Sequence, residues 1–225
     1  MKNIYCLLIV SFLCIFSLLP AGAQTLSEKD FQVLNMNDGL SDNDIHSVAK
    51  DTEGFMWFGT GSGLNRYDGR TFKVFRMPGI SYRRIDRVVS LDTDYLLLRS
   101  EQNLFLFDKK YERFLPVCDS VSKQPVMFAD FVADSDGSCW GVSSGELSEV
   151  NFPSSFVQDT AFVSVRHVVN NSQSDPFVVL CMGEDGKMLY CASRNGTVYR
   201  FTPGQRQLKK SVTGSCRPAG GYLLC

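Results

Sequence analysis

Beyond residue 40 the chain runs as short apolar segments separated by glycine and aspartate. LNRYD (64–68) and TFKVF (71–75) alternate apolar and polar positions, the pattern of strands with one face buried. FMWF (55–58), YLLL (95–98) and FVVLC (177–181) are continuous apolar runs, the pattern of strands packed on both faces. Between them lie DTEG, GSG and DGR, where glycine supplies positive φ and aspartate bonds the local backbone. No segment places apolar residues at i, i+3, i+4 and i+7 over three turns, which argues against helical repeats. The pattern predicts an all-β chain whose first strands cover roughly 47–51, 55–60, 64–68 and 71–76.

The pattern also repeats. Shifted by forty residues, the unit Gly39–Met77 returns: Ile45 falls on Ile85, Val48 on Val88, Leu64 on Leu104, Tyr67 on Phe107 and Asp68 on Asp108. Shifted by eighty-three, Asp51, Gly54, Trp57 and Leu64 fall on Asp134, Gly137, Trp140 and Leu147. A looser copy spans 181–201. A period of about 40–50 residues with four strands per unit predicts a β-propeller. One four-stranded blade cannot bury both its faces, so blades must stack around an axis. The predicted blades cover 40–77, 81–117, 126–165 and 176–211, with a partial blade over 212–225. GGYLLC (220–225) is similar to the start of a second strand, so a fragment of a larger ring, seven-bladed on this reading, is expected. Such a piece would expose apolar edges and tend to aggregate.

The beginning of the chain departs from this pattern. Lys2 precedes an apolar run from Ile4 to Leu19, followed by Pro20 and the small residues Ala21-Gly22-Ala23. That is the layout of a secretory signal peptide, with cleavage expected after residue 23. The rival reading is an uncleaved anchor, but the run is shorter than the roughly 20 residues of a spanning helix. Without residues 1–23 the chain has 22 basic and 24 acidic residues. This near-neutral balance argues against nucleic-acid binding. Six cysteines remain, and export would place them in an oxidising compartment. Most lie in apolar strand-like runs, as small buried hydrophobes do. Cys181 and Cys191 flank a hairpin turn and are the candidate disulfide.

The string GLSDNDIHSVAKDTEGFMWFGTGSGLNRYDG (39–69) resembles the two-component regulator propeller repeat. The match rests on Gly39, Leu40, Ser41, Asn43, Asp51, Gly54, Trp57, Gly59, Thr60, Gly63, Leu64, Arg66, Tyr67, Asp68 and Gly69. The second copy carries Leu97, Arg99 and Ser100 where the first has Trp, Gly and Thr. The third keeps Asp134, Gly137 and Trp140 but has Val142-Ser143 for Gly-Thr. The resemblance implies the N-terminal periplasmic sensor of a hybrid two-component receptor of the Bacteroidetes type, held in the inner membrane. It implies a homodimeric receptor with further propeller, membrane and kinase regions as partners. It also implies an oligosaccharide ligand that controls polysaccharide-utilisation genes. No kinase motif lies in the chain, so it is expected not to be an enzyme. A standalone exported binding or scaffold propeller is the alternative, with a propeller lyase or glycosidase as a third reading.

Other chemistry finds little support. GTGSG (59–63) lacks the following helix of a phosphate loop. DSDG (134–137) lacks the remaining ligands of a calcium loop. No metal and no cofactor is expected. His46 and His167 lack a nucleophile signature, and His46 is read as a satisfied structural residue near the axis. Trp57 and Trp140 occupy equivalent positions, which indicates core packing, and Gly59-Thr60 is read as allowing a tight turn. Asp51, Gly54, Leu64, Tyr67 and Asp68 complete the structural motif. Ligand contacts are expected where the copies differ, in the loops entering the innermost strands. These are Asp42, Asn43 and Asp44 in one blade and Tyr82, Arg83 and Arg84 in the next. Convergent polar groups with one aromatic suit a sugar or an acidic sugar.

Overall fold

The computed structural model describes residues 31–79, 84–133, 138–153, 156, 159–170, 175–183, 187–212, 217–219 and 222–224. The chain divides into two compact units, Met1–Leu34 and Asn35–Cys225, and the strands among the described residues lie in the second. The expected signal peptide, Tyr82, Arg83, Asp134 and Gly137 fall outside the described residues. Among the described residues no helix is long and apolar enough to cross a membrane.

The first blade is an antiparallel meander of β1 (Ile45–Lys50), β2 (Met56–Thr60), β3 (Gly63–Tyr67) and β4 (Phe72–Phe75). Its turns are built by the residues that the repeat pattern singles out. Asp51 Oδ1 accepts the backbone N–H of Glu53 and of Phe55, each at 3.0 Å, while Gly54 takes a φ of +93°. Thr60 Oγ1 donates to the Gly63 carbonyl at 3.0 Å and closes the two-residue hairpin between β2 and β3. Asp68 Oδ1 accepts from Arg70 N and Thr71 N, both at 2.7 Å.

The second blade is β5 (Arg87–Ser90), β6 (Tyr95–Ser100), β7 (Asn103–Asp108) and β8 (Arg113–Asp119). Asp108, forty residues after Asp68, accepts from Lys110 N at 3.1 Å and Tyr111 N at 3.0 Å, so the same turn recurs in the same register. The third blade is β9 (Asp130–Ala133), β10 (Cys139–Ser143), β11 (Glu146–Asn151) and β12 (Ala161–Asn170). The fourth is β13 (Phe177–Met182), β14 (Leu189–Ser193), β15 (Val198–Thr202) and β16 (Gln207–Val212). A ribbon of β17 (Arg217–Ala219) and β18 (Tyr222–Leu224) follows.

Three apolar layers separate the four blades. Trp57, Leu64, Phe75, Ile85, Val88, Leu96, Leu98 and Phe107 fill the first. Leu97, Leu104, Leu106, Leu115, Phe128, Phe131 and Val150 belong to the second. Trp140, Val142, Leu147, Phe177, Leu180, Leu189 and Phe201 belong to the third. The run YLLL therefore needs no polar position. Leu96 and Leu98 face the first blade and Leu97 faces the third, and all three are fully buried. Each such leucine contributes about 1.5–3 kcal/mol of burial.

Gly59 has a different role from the tight turn expected of it. It lies within β2, opposite Ser47 and Leu64. A Cβ there would stand 2.6 Å from the Ile85 carbonyl oxygen, so its missing side chain lets the second blade approach the first. Thr60 O accepts Ile85 N at 2.9 Å in the same contact. The third blade solves the approach differently: Gly141 makes room for the Phe128 ring, which a Cβ would meet at 2.2 Å.

One join was not expected from the repeat. β12 runs to Asn170 and pairs with two strands. Ala161, Phe162 and Val163 pair in parallel with Val117, Cys118 and Asp119 of β8, merging the second and third blades into one eight-stranded sheet. The inserted stretch before β9 fills the joint, with Val126 N donating to Val117 O and Val126 O accepting from Leu104 N.

Candidate functional site

The innermost strands of the four blades, β1, β5, β9 and β13, line one cavity of about 460 Å³. Its charged and polar wall is formed by His46, Asp86, Arg87, Arg99 and Asp130, and its apolar wall by valines of β1, β5 and β13. Two breaks in strand register border it, one between Ile45 and Ser47 and one between Phe177 and Val179. Such irregularities re-aim side chains. His46 and Val178 occupy them, and both line the cavity.

Asp130 is the centre of this wall. Its Oδ1 accepts Phe131 N and its Oδ2 accepts Leu180 N, each at 3.0 Å. Arg87 and Arg99 face each other directly across β5 and β6. Like charges in that relation repel. Asp130 offsets the repulsion, with Oδ1 at 3.8 Å from Arg87 Nη1 and 4.0 Å from Arg99 Nη1. Burial is the largest influence on this carboxyl and pushes its pKa above the ordinary carboxylate range, against the pull of Arg87, the Leu180 N–H and Arg99. Arg99 also donates to the Ala129 carbonyl.

Two polar atoms of the wall lack partners. Arg99 Nε and His46 Nε2 are buried and make no hydrogen bond. His46 Nε2 lies 3.3 Å from Asp44 Oδ2, but not in hydrogen-bonding geometry. His46 is thus not the satisfied histidine that the sequence suggested.

The loop residues proposed as ligand contacts divide into two groups. Asp42 Oδ2 accepts from Ser62 Oγ at 2.9 Å and Oδ1 from Asp44 N at 3.0 Å. Asn43 Oδ1 accepts Met36 N at 3.0 Å. Those two side chains hold the loop onto its own blade. Ser41, Thr60 and Asn65 hold it from below: Asn65 Oδ1 accepts Ser41 N at 2.9 Å, and Ser41 Oγ and Thr60 Oγ1 stand 2.9 Å apart. Asp44 and Arg84 remain exposed beside the cavity, Arg84 paired with Asp86. Arg87, Arg99 and Asp130 were missed because they lie inside strands. The signal that could have found them is a charged residue in a run otherwise fit for burial, as Arg99 is after YLLL.

Asp51 and Trp57 form the other buried polar contact of the motif, with Trp57 Nε1 donating to Asp51 Oδ2 at 2.8 Å. Burial would raise the Asp51 carboxyl, but Trp57, Lys109 and two backbone N–H groups outweigh it and hold its pKa below the ordinary range. Trp57 packs against Phe75 and Phe107, and Trp140 against Phe201, so neither indole presents a face to the cavity.

His167 does meet a serine and an acid, on a second cavity of about 350 Å³. Ser148 Oγ lies 3.0 Å and Glu146 Oε2 3.1 Å from the same nitrogen, Nδ1. A catalytic triad needs one ring nitrogen for the nucleophile and the other for the acid. The candidate disulfide is corrected by strand register. Cys181 pairs with Tyr190 and Cys191 with Leu180, a one-residue offset that sends the two side chains to opposite faces. No disulfide joins them.

A meander of four-stranded blades stacked through apolar layers, with charged groups on the innermost strands, is a β-propeller. Residues 39–62, in its first blade, match the two component regulator propeller family. A 78-residue stretch is 37% identical to Histidine kinase P4 of Formosa agariphila, covering 34% of this chain and 5% of that protein. The fold is similar to the extracellular domain of the hybrid two component system BT3049 from B. thetaiotaomicron, with a TM-score of 0.59 and 17% identity. That match covers 80% of this chain and 26% of the other. The extracellular domain of BT4673 from the same organism matches with a TM-score of 0.59 and 19% identity, over 86% of this chain and 29% of the other. The chain thus spans under a third of the length of each.

Proposed function

We propose that this chain is a ligand-sensing propeller, exported to the periplasm as part of a hybrid two-component receptor. Its ligand is an oligosaccharide derived from glycans, and its output controls genes for using that glycan. The observation that carries this reading is the 460 Å³ cavity shared by four innermost strands, where one ligand would touch several blades at once. The repeat at residues 39–62 and the 37% identity to a histidine kinase support the receptor context. The chain binds its ligand without transforming it, a reading supported by the single-nitrogen arrangement at His167. Titration of the chain with a panel of oligosaccharides tests this, read by thermal shift and by chromatography of the sugars. Stabilisation by some member with the sugar recovered intact is expected. Cleavage of the sugar, or no stabilisation by any member, would overturn it.

A further inference from the structure

We infer that the axial cavity selects a negatively charged sugar, one bearing a carboxylate or a sulfate group, through Arg87 and Arg99. This rests on the reading of that cavity as the ligand site. The argument begins with unequal pairing. Asp86 is already taken by Arg84, and its Oδ2 also accepts Glu101 N at 2.8 Å. Among the described residues Asp130 alone balances both Arg87 and Arg99, and both its oxygens already accept backbone N–H groups. Neither guanidinium is within hydrogen-bonding distance of it, at 3.8 and 4.0 Å. Among the described residues, one of the two arginines therefore has no carboxylate of its own.

The hydrogen-bond inventory points the same way. A guanidinium carries five N–H donors in a planar fork. Among the described residues the Arg87 side chain makes no hydrogen bond, its nearest carboxylate oxygen standing at 3.8 Å, and Arg99 uses Nη1 on Ala129 O but leaves a buried Nε–H unmet. His46 lines the same cavity at the register break in β1, with its Nε2 already facing Asp44 Oδ2 at 3.3 Å. A buried donor without an acceptor is costly, and the Arg99 Nε–H in this cavity marks where an acceptor oxygen belongs. A planar fork with a free edge matches a carboxylate or a sulfate in bidentate fashion, which a neutral hydroxyl cannot reproduce. The valines opposite supply an apolar wall for the carbon face of a ring.

Calorimetric titration of the chain with digalacturonate, a sulfated galactose disaccharide and neutral cellobiose tests this, at low and high salt. One of the two charged sugars is expected to bind, with affinity falling as salt rises. In Arg87→Gln and Arg99→Gln the affinity is expected to drop about tenfold, and Lys at either position to restore only part of it. The stronger of the two charged sugars identifies carboxylate or sulfate as the recognised group. The salt dependence of the unmodified chain stands even where a variant fails to fold. Cellobiose binding equally to the unmodified chain and to Arg87→Gln would overturn the charge selection while leaving the cavity as a ligand site. Binding of none of the three sugars would overturn both.

Discussion

Leu180 N–H donates to Asp130 Oδ2 at 3.0 Å, so a carboxylate of the third blade holds the inner strand of the fourth. The same carboxylate faces Arg87 and Arg99 of the second blade, and three blades converge on one side chain. Asp130→Ala leaves a buried N–H without an acceptor and two facing arginines without a counter-charge. The expected loss is about 1–3 kcal/mol, read as a lower urea midpoint. Both arginines keep some solvent contact, which limits the electrostatic share. An unchanged midpoint would show that the blades do not depend on this contact.

Asp51 and Asp130 are expected to respond to pH with opposite sign. The folded pKa of Asp51 is lowered, so its contribution is present above the unfolded value of about 3.9 and is lost as pH falls through the folded value. The folded pKa of Asp130 is raised, so its contribution is full below about 3.9 and declines as pH rises through the folded value. Asparagine at either position removes that titration. The stability gap between the unmodified chain and Asp51→Asn should widen from acid to neutral pH, and the gap to Asp130→Asn should move the other way. Urea melts across that range measure both, and gaps that move together would contradict the assignment.

Gly59→Ala tests why a glycine stands inside a strand. Its φ is not in the left-handed region, so no backbone strain arises, but the new methyl would meet the Ile85 carbonyl at 2.6 Å. The expected cost is about 1–3 kcal/mol from overpacking between blades. Gly69→Ala, in open space at a φ of +95°, isolates the opposite cause, a strained turn with no clash, at about 1–2 kcal/mol. The two are separated by Gly69→Asn, because asparagine tolerates the left-handed turn and should recover much of the loss. A midpoint for Gly59→Ala equal to that of the unmodified chain would refute the close approach.

These cases show what the sequence could and could not reveal. Asp51, Gly54 and Asp68 were legible because a turn needs its carboxylate and its positive φ within a few residues of each other. The stacking of blades was legible because Leu96, Leu97 and Leu98 are apolar without interruption, which only a strand buried on both faces requires. The parallel pairing of β8 with β12 was not, because it joins residues 117–119 to 161–163 through backbone bonds that impose no side-chain pattern. The axial wall was hidden for a related reason. Arg87 and Arg99 in β5 and β6, and Asp130 in β9, meet only once strand register and blade stacking are both fixed. The loop residues Asp42 and Asn43 were conspicuous for their polarity, yet those oxygens are occupied in closing their own loop.

The thiols give the last test. Burial pushes Cys191 up to about 12, and Cys181 nearby adds to the rise. At mildly alkaline pH it therefore stays almost wholly in the thiol form, and the thiolate is the reactive form. Cys191 is also fully buried, so alkylation in the folded chain requires opening of the fourth blade. The peptide carrying Cys191 is expected to remain unlabelled by iodoacetamide in the native protein. It should label fully in concentrated guanidinium chloride without any reductant, because the one-residue offset from Cys181 prevents a disulfide. Peptide mass spectrometry reads both states. Resistance to labelling in denaturant that reductant relieves would show a disulfide at Cys191 and contradict the register of β13 and β14. Rapid native labelling would instead show that the layer between the third and fourth blades is not closed around this residue.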